Sequence, residues 1–138
     1  MTMSKPLFRF NTRALSAGIQ RHLQEEYQKA RYAMNSVGHF GRGEIQKRTP
    51  VDEGHLTGAV TFEVVDYRKS YAVVLYVPSN SEASQYAIPM HDGVYNLGPK
   101  SLAKMAKTGT QVGPGYIIRG LDDNRGDIRD IIISIMQV

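Results

Sequence analysis

The spacing of apolar residues changes once along this chain, between Thr49 and Val60, and that change limits the folds open to it. Before it, Leu15, Ile19, Leu23, Tyr27, Ala30, Met34 and Val37 recur every three or four residues, the stripe of an α-helix. After it, Val60, Phe62 and Val64 alternate with Thr61, Glu63 and Val65, the period of a strand with one buried face. Pro50 lacks a backbone N–H and biases Thr49 toward extended geometry, so a helix arriving from the N-terminal side ends there. Asp52 can close an Asx turn at Gly54, whose backbone reaches angles that other residues resist, and Leu56 returns an apolar side chain to the core. Pro50, Asp52, Gly54 and Leu56 are the expected hinge of the fold.

Asn11 or Thr12 can cap the start of the helix. Its polar face holds Arg13, Gln20, Arg21, Gln24, Gln28 and Arg31 and should meet water or a partner. Gly38, Gly41 and Gly43 each cost a helix about 1 kcal/mol relative to Ala, which predicts a kink or break there, with Glu44 to Arg48 as a last turn. Residues 1–10 have a Pro, two aromatics and no period, so they read as an arm. Phe8 and Phe10 must fold back onto the core or dock on another subunit.

Beyond the corner, Asp66 to Ser70 is a charged turn and Tyr71 to Val77 a second strand, giving an antiparallel hairpin. Gln85 to Met90 reads as a third strand, held at an edge by Pro89. His91-Asp92-Gly93 turns the chain into a long loop, 95–115, rich in glycine and carrying Lys100, Lys104 and Lys107. One or two helical turns fit around Ser101 to Lys107, and a loop of this length suggests ordering by a partner. Ile117, Leu121, Ile128, Ile131, Ile132 and Ile135 then share a helical face, although Ile128 to Val138 also fits a strand. The expected architecture is α+β: one domain, 1–138, with an antiparallel sheet of three to four strands packed with a long N-terminal helix and a C-terminal helix.

The absence of cysteine excludes a disulfide framework and a thiolate zinc site. No apolar run approaches the roughly 20 residues of a membrane helix, and the start has no apolar signal core, so no membrane role and no export are expected. Charge is uneven. Residues 1–50 carry nine Lys or Arg against three Glu, a net of +6, whereas 51–138 carry eight against ten acids, a net of −2. Such a basic segment can meet nucleic acid or an acidic neighbouring subunit. The cations Arg9, Arg13, Arg21, Lys29, Arg31, Arg42, Lys47 and Arg48, with the three loop lysines, scatter instead of forming a run, and no DNA-reading motif accompanies them.

Catalytic chemistry has little to stand on. His22, His39, His55 and His91 are not paired at a ligand spacing, which gives no basis for a metal or other cofactor. His91-Asp92 resembles the doublet of metal-dependent phosphohydrolases but sits before a glycine, as a turn does. No Gly-x-Ser-x-Gly elbow and no phosphate-cradling Gly-Lys-Ser/Thr is present.

Three blocks taken together carry a resemblance: Thr49-Pro50-Val51-Asp52-x-Gly54-x-Leu56, then Tyr86-Ala87-x-x-x-His91-x-Gly93, then an amphipathic segment from Tyr116. In this order they resemble the tail-completion, or head-to-tail joining, proteins of tailed bacteriophages, including the lambda minor tail protein Z type. The likeness runs from about Leu15 to Val138 and departs from the family pattern at His55 and in the glycine- and lysine-rich stretch from Tyr95 to Pro114. It implies a non-enzymatic virion protein, assembled in the host cytoplasm. Such a protein forms a homo-oligomeric ring, hexamer or dodecamer, and meets other neck, connector and tail proteins. Non-specific contact with DNA in the channel goes with such a ring. His91 and Gly93 are implied to be architectural. The expected subunit contacts are Phe8, Phe10, Arg13, Arg21, Arg31, Lys100, Lys104 and Lys107. The alternative from another class is a small cytoplasmic nucleic-acid-binding module.

Overall fold

The computed structural model describes residues 12–51, 54–68 and 70–137. Phe8, Phe10, Asp52 and the side chain of Arg13 lie outside what is described, as does the arm 1–10. The fold is α+β, with a long N-terminal helix and a two-stranded antiparallel sheet.

Helix α1 runs unbroken from Thr12 to Arg48, about 55 Å at 1.5 Å per residue. The expected break at Gly38 to Gly43 does not occur, and close approach explains why glycine is at positions 38 and 41. A Cβ on Gly38 would lie 2.2 Å from the Phe62 ring, and one on Gly41 would lie 3.3 Å from Leu75. The glycines are the seat onto which the hairpin packs, so the helical propensity they lose is offset by the burial of Phe62 and Leu75.

The helix ends as Pro50 requires. Gly54 stands at φ 83° before a short helix, α2 (His55–Ala59), whose Leu56 is buried. Strands β1 (Thr61–Asp66) and β2 (Tyr71–Tyr76) then pair in register from Thr61 opposite Tyr76 to Asp66 opposite Tyr71. A lone hairpin is marginal in water, and this one depends on the helix beneath it.

The third strand is a correction: Gln85 to Met90 lies inside helix α3 (Ser84–Asp92). Ala83 and Ala87 are both buried, four residues apart, and that helical pair outweighs the strand-like alternation. Pro89 sits in the helix, and Gly93 N donates to its carbonyl at 2.8 Å to close the end. The loop 95–115 is likewise corrected. Its middle is helix α4 (Pro99–Thr108), opened by Pro at its first turn and closed by Gly109 in the left-handed region. Its remainder is anchored: Val112 is fully buried, Gly113 N donates to Arg48 O at 2.9 Å, and Gly115 N to His91 O at 2.7 Å.

The last segment is helical, not a strand, but it is two helices, α5 (Tyr116–Asp122) and α6 (Arg125–Met136). At Gly120, α5 crosses α1 so closely that a Cβ would meet Ile45 Cγ1 at 2.7 Å and Ile45 Cα at 3.0 Å. Ile45, Leu56, Val60, Ala83, Ala87 and Tyr116 form the core around that crossing. The Tyr116 hydroxyl donates to Ala87 O at 2.7 Å, and burial pushes its pKa up to about 12.

Candidate interaction surfaces

The stripe on α1 changes its cover along its length. Val37 and Ala33 are buried, Tyr27, Ala30 and Met34 are half-buried, and Leu23 and Ile19 are 45% and 51% exposed. These residues lie on one helical face, so the gradient follows the ending of whatever covers that face. Helix α6 is the cover. Ile128 shares an apolar groove with Val37, while Ser134 and Ile135 share another with Glu25, Gln28 and Tyr32. Helix α6 ends at Met136, level with this second groove. Residues 16–25 of α1 are exposed on every side, yet they keep the apolar stripe.

Of the expected contact cations, Arg21 and Arg31 are exposed on α1, and Arg31 borders a shallow groove with Tyr32, Asn35, Phe62 and Glu63. Lys100 and Lys107 are exposed on α4. Lys104 is different, because its ammonium is bonded within the chain. Its ammonium reaches under the C-terminal end of α1, where it donates to the carbonyls of Gln46 and Thr49, the latter at 2.9 Å. It also donates to Thr49 Oγ1 at 3.1 Å and Thr57 Oγ1 at 3.4 Å, and those two hydroxyls lie 2.6 Å apart. Burial lowers the Lys104 pKa. Cationic donors suit the last turn of a helix, where carbonyls have no intrahelical partner and the helix dipole is negative. One turn earlier on α4, Ser101 Oγ accepts from Val51 N at 2.8 Å. Ser101 and Lys104 together stitch α4 to the corner after α1.

Other cations are similarly committed within the chain. Arg42 Nε donates to Val60 O at 2.8 Å, which ties α1 to the start of the hairpin. Arg48 is buried against Glu44 at 3.0 Å. Although burial opposes ionisation of Glu44, its bonds from Arg48 and Lys47 prevail and lower its pKa. Arg119 donates to the carbonyls of Gln111 and Pro114, both at 2.9 Å, and clamps the turn before α5. The sequence alone does not single out Arg119, and it leaves Arg42 and Arg48 among the scattered cations that could meet nucleic acid. Their role becomes visible only when distant carbonyls are placed beside them.

His91 joins the end of α3 to the start of α5. Its Nε2 accepts from Ile118 N at 3.4 Å, its Nδ1 donates to Asp92 Oδ1 at 2.8 Å, and its ring meets Tyr116 edge-on at 4.9 Å. Both ring nitrogens are engaged in holding the turn. Among the described residues, no three His, Asp or Glu side chains converge as metal ligands, and no helix is long and apolar enough to cross a membrane.

No family model, curated protein or solved structure matches this chain.

Proposed function

We propose that this chain is a structural subunit of a tailed-phage virion, forming a six- or twelve-membered ring at the neck that joins the head connector to the tail. The observation that carries the reading is the mismatch between the apolar stripe of α1 and its cover. Ile19 and Leu23 continue a core-facing stripe beyond the end of α6, and apolar helix surface of this kind is a docking face for another subunit. A ring provides the cover, because each subunit offers one surface to a different surface of the next. The resemblance carried by the Pro50 corner, His91 and the C-terminal helices supports the neck as its place. Arg42, Arg48 and Lys104 are held by groups of the chain itself, which removes three of the cations that a nucleic-acid module would use.

Light scattering on the purified chain tests this. A closed assembly is expected, and Ile19→Asp with Leu23→Asp should return it to monomers that keep the secondary structure of the fold by circular dichroism, unfolding at a lower temperature than the assembly. Charge reversal at Arg21 and Arg31 should weaken the same assembly. A monomer that binds a short DNA duplex at low salt and releases it at high salt would overturn the ring in favour of the nucleic-acid module.

A further inference from the structure

A second apolar surface lies at the opposite end of the molecule from the exposed part of α1. It is a groove of about 460 Å³ between β2, α3 and α5, lined by Leu75, Val77, Ala87, Ile88, Ile117 and Ile118. Ile88 is 70% exposed and Ile118 57%, large values for two isoleucines that line one groove. Its charged rim is Asp92, whose carboxylate is largely exposed while one oxygen holds His91. The groove between β2 and α6 is also apolar, but its rim sets Arg125 and Arg129 against Asp122 and would repel a cation.

Residues 7–10 read Leu-Phe-Arg-Phe, an apolar segment with one cation between its aromatics. From the ring reading, on which it rests, we infer that the groove at Ile88 and Ile118 receives Leu7 to Phe10 of a second copy of this chain, with Arg9 set against Asp92.

Reach shows why the copy must be another one. The groove lies level with Gly41 to Ile45 of α1, because Leu75 lies over Gly41 and α5 crosses at Ile45. From Thr12 to Gly41 the helix advances about 43 Å. Phe8 stands four residues before Thr12, and four extended residues span at most about 14 Å. A chain therefore cannot place Phe8 or Phe10 in its own groove. In a ring the N-terminal end of one α1 can lie beside the α3–α5 end of its neighbour, and such an arm-to-groove contact is heterologous, as ring closure requires.

The chain has no cysteine, so Phe8→Cys with Ile88→Cys introduces the only thiols present. Ile88 is exposed, and its substitution leaves the core intact. Under mild oxidation the double variant is expected to run on a denaturing gel as a ladder of covalent multimers, while each single variant stops at the dimer. Light scattering under reducing conditions reads the assembly itself. An assembly of normal mass that gives no ladder overturns the arm contact and leaves the ring standing; a chain that stays monomeric overturns both. A cross-linked monomer overturns the reach argument. Arg9→Glu should slow cross-linking about two- to fivefold, the range of an exposed ion pair, and adding Asp92→Asn, which keeps an acceptor for His91 and removes the repulsion, should bring recovery. A charge pair that shows no such recovery overturns the placing of Arg9.

Discussion

Replacing Lys104 by methionine separates the two roles this residue can have, since methionine keeps the aliphatic reach and removes only the ammonium. In the folded chain that ammonium serves the carbonyls of Gln46 and Thr49 and the hydroxyl pair of Thr49 and Thr57. Thr49 is fully buried, so water cannot readily take over as donor to its carbonyl, and an unsatisfied buried acceptor costs about 1–3 kcal/mol. The Gln46 carbonyl adds a smaller loss because Gln46 is only half-buried. Against this stands relief from desolvating a cation, the cause that lowers the Lys104 pKa. Loss outweighs relief, and a net destabilisation of about 1–3 kcal/mol is expected, which for a chain of this size lowers Tm by about 3–10 °C. Lys107→Met on the exposed face of the same helix should stay within about 0.5 kcal/mol of the parent. Thermal unfolding followed by circular dichroism reads the difference, and light scattering reads assembly. If Lys104→Met unfolds with the parent but fails to assemble, Lys104 is a subunit contact and the capping argument is wrong.

Two further outcomes follow from the packing. Gly38→Ala gains about 1 kcal/mol of helix propensity but drives a Cβ into the Phe62 ring, and overpacking of about 1–3 kcal/mol should dominate. Gly43→Ala meets nothing within 4 Å and should raise stability by up to about 1 kcal/mol, so urea midpoints that move the same way for both would contradict the seat. Tyr116 has a folded pKa of about 12 against about 10 when unfolded, so the folded form holds its proton more firmly. Its contribution is complete below pH 10 and is lost as pH rises toward 12, by roughly 2–3 kcal/mol. Tyr116→Phe should flatten that alkaline fall; an unchanged slope in urea titrations across this range would contradict it.

Both periods of the chain were legible because each rests on large side chains: the leucines, tyrosine and isoleucine of the α1 stripe, and the phenylalanine and valines of β1. Helix α3 reads as a strand in sequence because its buried positions are Ala87 and the N-cap Ala83, residues too small to set a period, while Pro89 suggests an edge strand. Helix α4 carried its own boundaries in Pro99 and Gly109, but three lysines and three further glycines around it outweighed them. Nothing local distinguishes Lys104 from Lys100 or Lys107. Only the end of α1, more than fifty residues away in sequence, selects it.

The uncovered length of α1 is a difference of two lengths that neither sequence nor fold supplies alone. The apolar stripe can be counted from the residues, and it runs toward the N-terminus at least to Ile19. The end of its cover can be found only once α6 is laid against α1, because a separate α5 uses residues that a single C-terminal helix would have added to that cover. An isolated segment of ten residues is too short to hold a helix by propensity, and Gly18 weakens this one further. The exposed end of α1 is therefore stabilised by continuity with the packed half and by whatever covers Ile19 and Leu23. A second copy meets that need while leaving the monomer fold as it is.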